Sequence, residues 1–214
     1  YFFNIKKNNL KYYLLVDKNL KRTNNFYEFH HLSSGNSKKK IIKFAKKRKN
    51  IYENLKKILF KESFNYSNLI KNKSILILSH PFINAEKQGH DQIIKELNNY
   101  IKIYNYLITH FPQHEILFKP HPSTTSSTLK IIRSKLTKYF FLPKEILSEI
   151  IIGNTNVQYI GSLMSSSLFY SKLLYEEKEF FYFNIDNTLI IEYESNKKTV
   201  LPIYNQFNIK KISI

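Results

Sequence analysis

A histidine stands between two prolines in Lys119-Pro120-His121-Pro122, directly after the apolar run Ile116–Phe118 and before a hydroxyl-rich stretch ending at Ser127. Each proline fixes its own φ and biases the residue before it toward extended geometry, so His121 sits on a stiff, non-helical stalk. An imidazole held this way is either a turn residue or a group that serves a phosphate. In the second case it donates a hydrogen bond, or a proton to a departing phosphate. Ser79-His80-Pro81 repeats the setting after an earlier apolar run. Ser165, Ser166 and Ser167 come soon after Gly161 and open an apolar-periodic segment. Serines at a helix start offer hydroxyls and backbone N–H groups at the positive end of the helix dipole, which suits a phosphate. An ordinary serine N-cap looks the same in sequence.

Other chemistries are excluded. The chain has no cysteine, so it has no disulfide, no thiolate metal ligand and no thiol nucleophile, which fits a reducing compartment. It has only four glycines and neither a Walker nor a G-x-G-x-x-G pattern. No histidine–carboxylate set has metal-ligand spacing, and His30-His31 and His90-Asp91 are isolated pairs.

Strands and helices must bring these residues together. Strand-like runs lie at Lys11–Asp17, Ser74–Phe82, Glu115–Pro122, Tyr139–Leu142, Asn156–Ser162 (breaking at Gly161) and Glu179–Ile185. Helical periodicity marks Ile41–Phe60, His90–Pro112, Ser127–Leu136 and Ser165–Tyr175, and Pro143 suits the first turn of a helix over Pro143–Ile151. In His90–Pro112 the apolar set is Ile93, Ile94, Leu97, Tyr100, Ile101, Tyr104, Leu107 and Ile108. His31–Lys40 is loop by composition. The alternation predicts an α/β fold with a Rossmann-like, doubly wound parallel sheet. In such sheets ligands bind beyond the carboxyl ends of the strands, where the loops carrying His80, His121 and Ser165–Ser167 should converge.

Hydrophobic residues make up 43% of the 214, enough for a real core. Net charge is +18, from 34 Lys+Arg against 16 Asp+Glu. The excess reflects Lys- and Asn-rich composition together with an anionic partner. The basic face of Ile41–Phe60 is either solvated or docked on an anionic membrane. No stretch reaches about 18 consecutive apolar residues, so no membrane span is expected. The sequence opens at Tyr1 rather than methionine and reads as a piece of a longer chain.

A strand ending in His-Pro, then a Pro-x-Glu segment, then a Ser-Ser pair opening a helix is similar to the C-terminal half of bacterial sialyltransferases of GT-B type. These are the lipooligosaccharide sialyltransferases of glycosyltransferase family 52 and the related capsule polysialyltransferases. The resemblance covers about residues 74–185. It implies that His121 contacts the phosphate of CMP-sialic acid and can protonate the departing CMP, with Pro122 beside it among the donor nucleotide-binding residues. It also implies that Ser165, Ser166 and Ser167 hold that phosphate and that Glu145 binds the ribose hydroxyls. Such enzymes need a carboxylate base for the acceptor hydroxyl. No Asp-Gly or Glu-Gly pair occurs here, so Asp91 is the first candidate and Glu86, in the loop "INAEKQGHD", the second.

The expectation is therefore a partial N-terminal region with a basic linker helix at 1–73 and a CMP-sugar-binding domain at 74–214. The chain would transfer sialic acid to a glycan hydroxyl of a surface lipooligosaccharide or capsule. It would do so without cofactor or metal, in the cytoplasm and peripheral to the inner membrane, with a homodimer admitted and no nucleic-acid partner. The alternatives are a capsule transferase using CMP-Kdo and a non-catalytic α/β domain that binds an anionic partner.

Overall fold

The computed structural model describes residues 73–185, 201, 204, 205 and 207–214. The expectations for Lys11–Asp17, His31–Lys40 and Ile41–Phe60 lie outside the described residues. Six strands form one sheet: β1 (Ser74–Leu78), β2 (Glu115–Lys119), β3 (Phe140–Phe141), β4 (Tyr159–Ser162), β5 (Glu179–Asn184) and β6 (Lys210–Ser213). Helices are α1 (Ile83–Gln88), α2 (His90–His110), α3 (Ser126–Lys135), α4 (Ser148–Asn154) and α5 (Ser166–Leu174).

The sheet is parallel throughout, in the order β3-β2-β1-β4-β5-β6. This is the expected doubly wound α/β architecture. Its central strands are buried on both faces, which is why they read as unbroken apolar runs. The chain builds outward from β1 to β3, then returns to lay β4 on the other side of β1. That reversal sets a crevice at the carboxyl ends of β1 and β4. The register pairs Leu78 with both Lys119 and Ser162, so the three strands end level. With strands about 4.8 Å apart, Lys119 and Ser162 lie about 10 Å apart across Leu78. The loops bearing His80, His121 and Ser165 leave from this single row.

Several sequence expectations shift. β4 runs through Gly161 instead of breaking there, and the reason is packing: a Cβ at Gly161 would collide with the Phe181 ring of neighbouring β5. Helix α4 begins at Ser148, so Pro143–Glu145 is a turn and not the first turn of a helix. The Lys144 carbonyl is bonded to Lys119 Nζ and Lys144 Nζ to the Thr124 carbonyl, and these tertiary bonds outweigh the local preference of Pro143. Glu86 lies in the short helix α1, not in a loop. Gly89, at φ +99°, allows the turn from α1 into α2.

On α2, Ile93, Leu97, Tyr100, Ile103 and Leu107 face the core, whereas Ile101 and Ile108 are exposed. The buried stripe follows 3.6 residues per turn, so Ile94, Ile101 and Ile108, seven apart, fall on its shoulder. β6 was not foreseen. It is a polar edge strand whose Lys210 pairs with Glu179 at 2.6 Å.

The Phe181 ring fills the space that a side chain at Gly161 would need, between the paired strands β4 and β5. Gly161→Ala should destabilise the chain by about 1–3 kcal/mol, the usual cost of overpacking. A urea midpoint equal to that of the parent chain would contradict this account.

Candidate functional site

The His121 loop is a tight turn. Thr124 N–H donates to His121 C=O at 3.0 Å, which leaves Pro122 at the second turn position, where its fixed φ is favourable. The ring folds back over the same turn. Ser123 N–H donates to His121 Nδ1 at 3.2 Å, and Ser123 Oγ lies 2.7 Å from that nitrogen. A backbone N–H can only donate, so Nδ1 is an acceptor and the ring proton resides on Nε2. Nε2 makes no hydrogen bond to another described residue. Burial lowers the imidazole pKa to about 4, and nearby Lys119 and His80 push it the same way. At pH 7 the ligand-free ring is therefore neutral. It presents an N–H to whatever occupies the sheet edge.

His80 has the same strand-His-Pro setting and a different fate. The Tyr100 hydroxyl accepts from His80 N–H at 3.1 Å and lies 2.7 Å from Nδ1, while Nε2 meets Glu96 Oε2 at 3.0 Å. An ionised carboxylate can only accept, so Nε2–H donates to Glu96, and Nδ1 is engaged by the Tyr100 hydroxyl. Burial pushes the Tyr100 phenol up, well above its ordinary pKa, so the hydroxyl keeps its proton. Both ring nitrogens are used and all three side chains are buried. His80 shapes the end of β1 and has no nitrogen left for a ligand.

Ser166 is the first residue of α5, and Ser165 is its N-cap without a capping side-chain bond. The Ser165 backbone is clamped by a residue 39 positions away. Tyr204 Oη accepts from Ser165 N–H at 2.8 Å and donates to Ser165 C=O at 2.9 Å. The backbone N–H groups left for a ligand thus begin at Ser166, one residue later than the sequence suggested. The hydroxyls of Ser165 and Ser167 make no hydrogen bond to another described residue.

Glu145 is exposed in the turn after β3. That turn and the His121 turn are joined. Lys119 Nζ donates to Pro120 C=O at 2.8 Å and Lys144 C=O at 3.1 Å, and Lys144 Nζ donates to Thr124 C=O at 2.7 Å. The two candidate bases differ in setting. Asp91 is 99% exposed at the start of α2, 3.9 Å from His90 Nδ1. Glu86 Oε1 accepts from Thr125 N–H at 3.2 Å and Thr125 Oγ1 at 3.0 Å, which ties it to the His121 loop. Lys119, Lys144, Ser123 and Tyr204 were not assigned roles from sequence. A lysine ending a buried strand was a signal; Tyr204 gave none.

Among the described residues no three or more His, Asp or Glu are grouped to hold a metal ion. Nor is any helix among them long and apolar enough to cross a membrane. The alpha-2,8-polysialyltransferase (POLYST) family model matches residues 1–184. The chain belongs to that family. It is a glycosyltransferase of sialyltransferase type, which implies a sugar-nucleotide donor and a glycan acceptor. A search of curated proteins finds no match. In this polysialyltransferase-family chain the matched span contains the His121 turn, the Glu145 turn and the serine start of α5.

The half-buried, neutral His121 has a consequence for stability. Its folded pKa lies below the ordinary 6.5, so its contribution is fully present above pH 6.5 and is lost as pH falls through about 4. His121→Gln should lose less stability than the parent chain between pH 7 and pH 4, read as urea midpoints. A histidine NMR titration should put His121 near 4; a value near 6.5 would remove the premise.

Proposed function

We propose that this chain transfers sialic acid from CMP-sialic acid to a glycan hydroxyl of a bacterial surface lipooligosaccharide or capsule. The observation that carries the reading is the His121 ring, pinned through Nδ1 with Nε2–H left over, on the sheet edge where α5 also begins. In this reading Nε2–H and the Ser165–Ser167 segment hold the CMP phosphate, Pro122 fixes the turn and Glu145 accepts from the ribose hydroxyls. The acceptor oxygen attacks the anomeric carbon and gives its proton to a carboxylate. The bond to CMP breaks, and the phosphate oxygen keeps the electron pair.

The neutral state of ligand-free His121 shapes the acid role. An anionic phosphate beside the ring favours the imidazolium and opposes the effect of burial, so the donor itself equips His121 to protonate departing CMP. His121, the serines and the dipole of α5 neutralise phosphate charge, so the reaction as proposed needs no metal or cofactor. Asp91 remains the first candidate base, since its carboxylate is open to an acceptor. Glu86 is the second, supported by its bond to Thr125. Residues 74–214 form the nucleotide half of a GT-B enzyme, and 1–73 belong to its N-terminal region. The enzyme works at the cytoplasmic face of the inner membrane, a reading supported by the chain's net charge of +18, which favours anionic lipid.

A thermal-shift panel of CMP, CMP-sialic acid, CMP-Kdo, UDP and short oligonucleotides tests the ligand class. Stabilisation by CMP and CMP-sialic acid is expected. A preference for CMP-Kdo would shift the donor, and a response to UDP or oligonucleotides alone would overturn the reading. His121→Ala should lower turnover about 10²–10⁴-fold, as loss of a general acid does. Ser166→Ala should mainly weaken donor binding, because a phosphate hydrogen bond is already made in the ground state. Near-normal turnover of His121→Ala would return that residue to the role of a turn histidine.

The base has its own test. Asp91→Asn is expected to lower turnover while CMP binding by calorimetry is retained. If Asp91→Asn is fully active and Glu86→Gln shows that pattern instead, the base is Glu86.

A further inference from the structure

We propose that Lys119 and Lys144 form a crossed brace holding the His121 turn against the Glu145 turn, and so act as positioning residues for the nucleotide half of the donor. The proposal rests on the reading of His121 and Glu145 as donor contacts. Its geometric basis is reciprocal. Lys119, at the end of β2, bonds the carbonyl of its neighbour Pro120 and crosses to the carbonyl of Lys144. Lys144, in the turn after β3, crosses back to the carbonyl of Thr124. Each side chain thus grips the main chain of the other loop. Leu142 N–H, bonded to Phe118 C=O at 2.9 Å, closes the same junction from the strand side.

Chemistry sets this apart from routine packing. Lys119 is only 3% exposed and follows the buried residues Ile116, Leu117 and Phe118. An apolar residue would be less costly there, because an ammonium taken from water must recover its hydration from fixed partners. What the ammonium adds is direction: two carbonyls from two loops converge on one nitrogen. A nucleotide has a fixed distance between phosphate and ribose. Contacts on two loops reward such a ligand only if their spacing is set before it arrives.

The test uses the full chain with CMP, cytidine and no ligand. In Lys144→Met, CMP affinity by calorimetry should fall about tenfold, the scale of one charge-assisted hydrogen bond. Cytidine, which lacks the phosphate and does not span the two turns, should change less than about twofold. Lys144→Arg should restore most of the CMP affinity. Lys119→Met, of similar shape to the lysine stem, should repeat the pattern if it folds; Lys144→Met keeps the test intact if it does not. Equal losses for CMP and cytidine, or no loss for CMP, would overturn the brace. If the parent chain binds CMP no better than cytidine, the phosphate role of His121 fails instead. The ligand-free arm then decides on the brace alone: amide exchange at Ser123 and Thr124 should quicken in Lys144→Met, and unchanged exchange would reject it.

Discussion

β1 is buried along its whole length and paired on both sides, to β2 and to β4. Strands on both sides run parallel to it, so their carboxyl ends must emerge on one edge of the sheet. Helices must then carry the chain back across the faces. Because the winding reverses at β1, the loops after β1 and β4 part from each other and leave a crevice between them. The level register of Leu78, Lys119 and Ser162 turns that crevice into a row of loop origins. His80, His121 and Ser165 stand two or three residues beyond that row.

Two histidines in nearly identical sequence settings show how the surroundings divide the labour. His80 has a buried hydroxyl on one ring nitrogen and a buried carboxylate on the other, so its hydrogen-bonding capacity is spent inside the fold. His121 spends only Nδ1, on its own turn, and keeps Nε2–H. One ring is a fastener between α2 and the end of β1. The other is a fixed donor beside a crevice. The sequence context Ser-His-Pro or Lys-Pro-His-Pro cannot separate these cases, because the deciding partners, Tyr100 and Glu96, come from a helix further along the chain.

The same distinction explains what was legible from sequence. Buried parallel strands announce themselves as apolar runs bounded by Pro, Ser and Gly, so β1, β2, β4 and β5 could be read with small errors at their ends. The order of His121, Glu145 and the serines could be read as well, since it depends only on chain order and loop chemistry. What stayed hidden was settled by contacts across sequence distance. Phe181 makes Gly161 a strand residue. The Lys119 and Lys144 bonds delay α4 to Ser148. Tyr204 takes the Ser165 amide that would otherwise face a ligand. β6, exposed and charged at the edge, lacks the apolar run that identifies an inner strand.

The basic excess of the chain also divides once side chains are seen. Lys119 and Lys178 are buried cations that bind carbonyls, not surface charges awaiting an anion. Lys178 Nζ donates to Ile152, Thr155 and Val157 at 2.6–2.9 Å, and so closes the end of α4 and the entry to β4. Burial lowers the pKa of both, that of Lys119 to about 8. Their tolerance of proton loss nevertheless differs. A neutral amine still has two N–H donors, which is enough for the two carbonyls that Lys119 holds. Lys178 serves three, so its deprotonation removes one of these bonds in a buried setting. The lysine beside the candidate site can therefore sit close to its titration point and keep its geometry, whereas the lysine that supports the scaffold depends on remaining an ammonium.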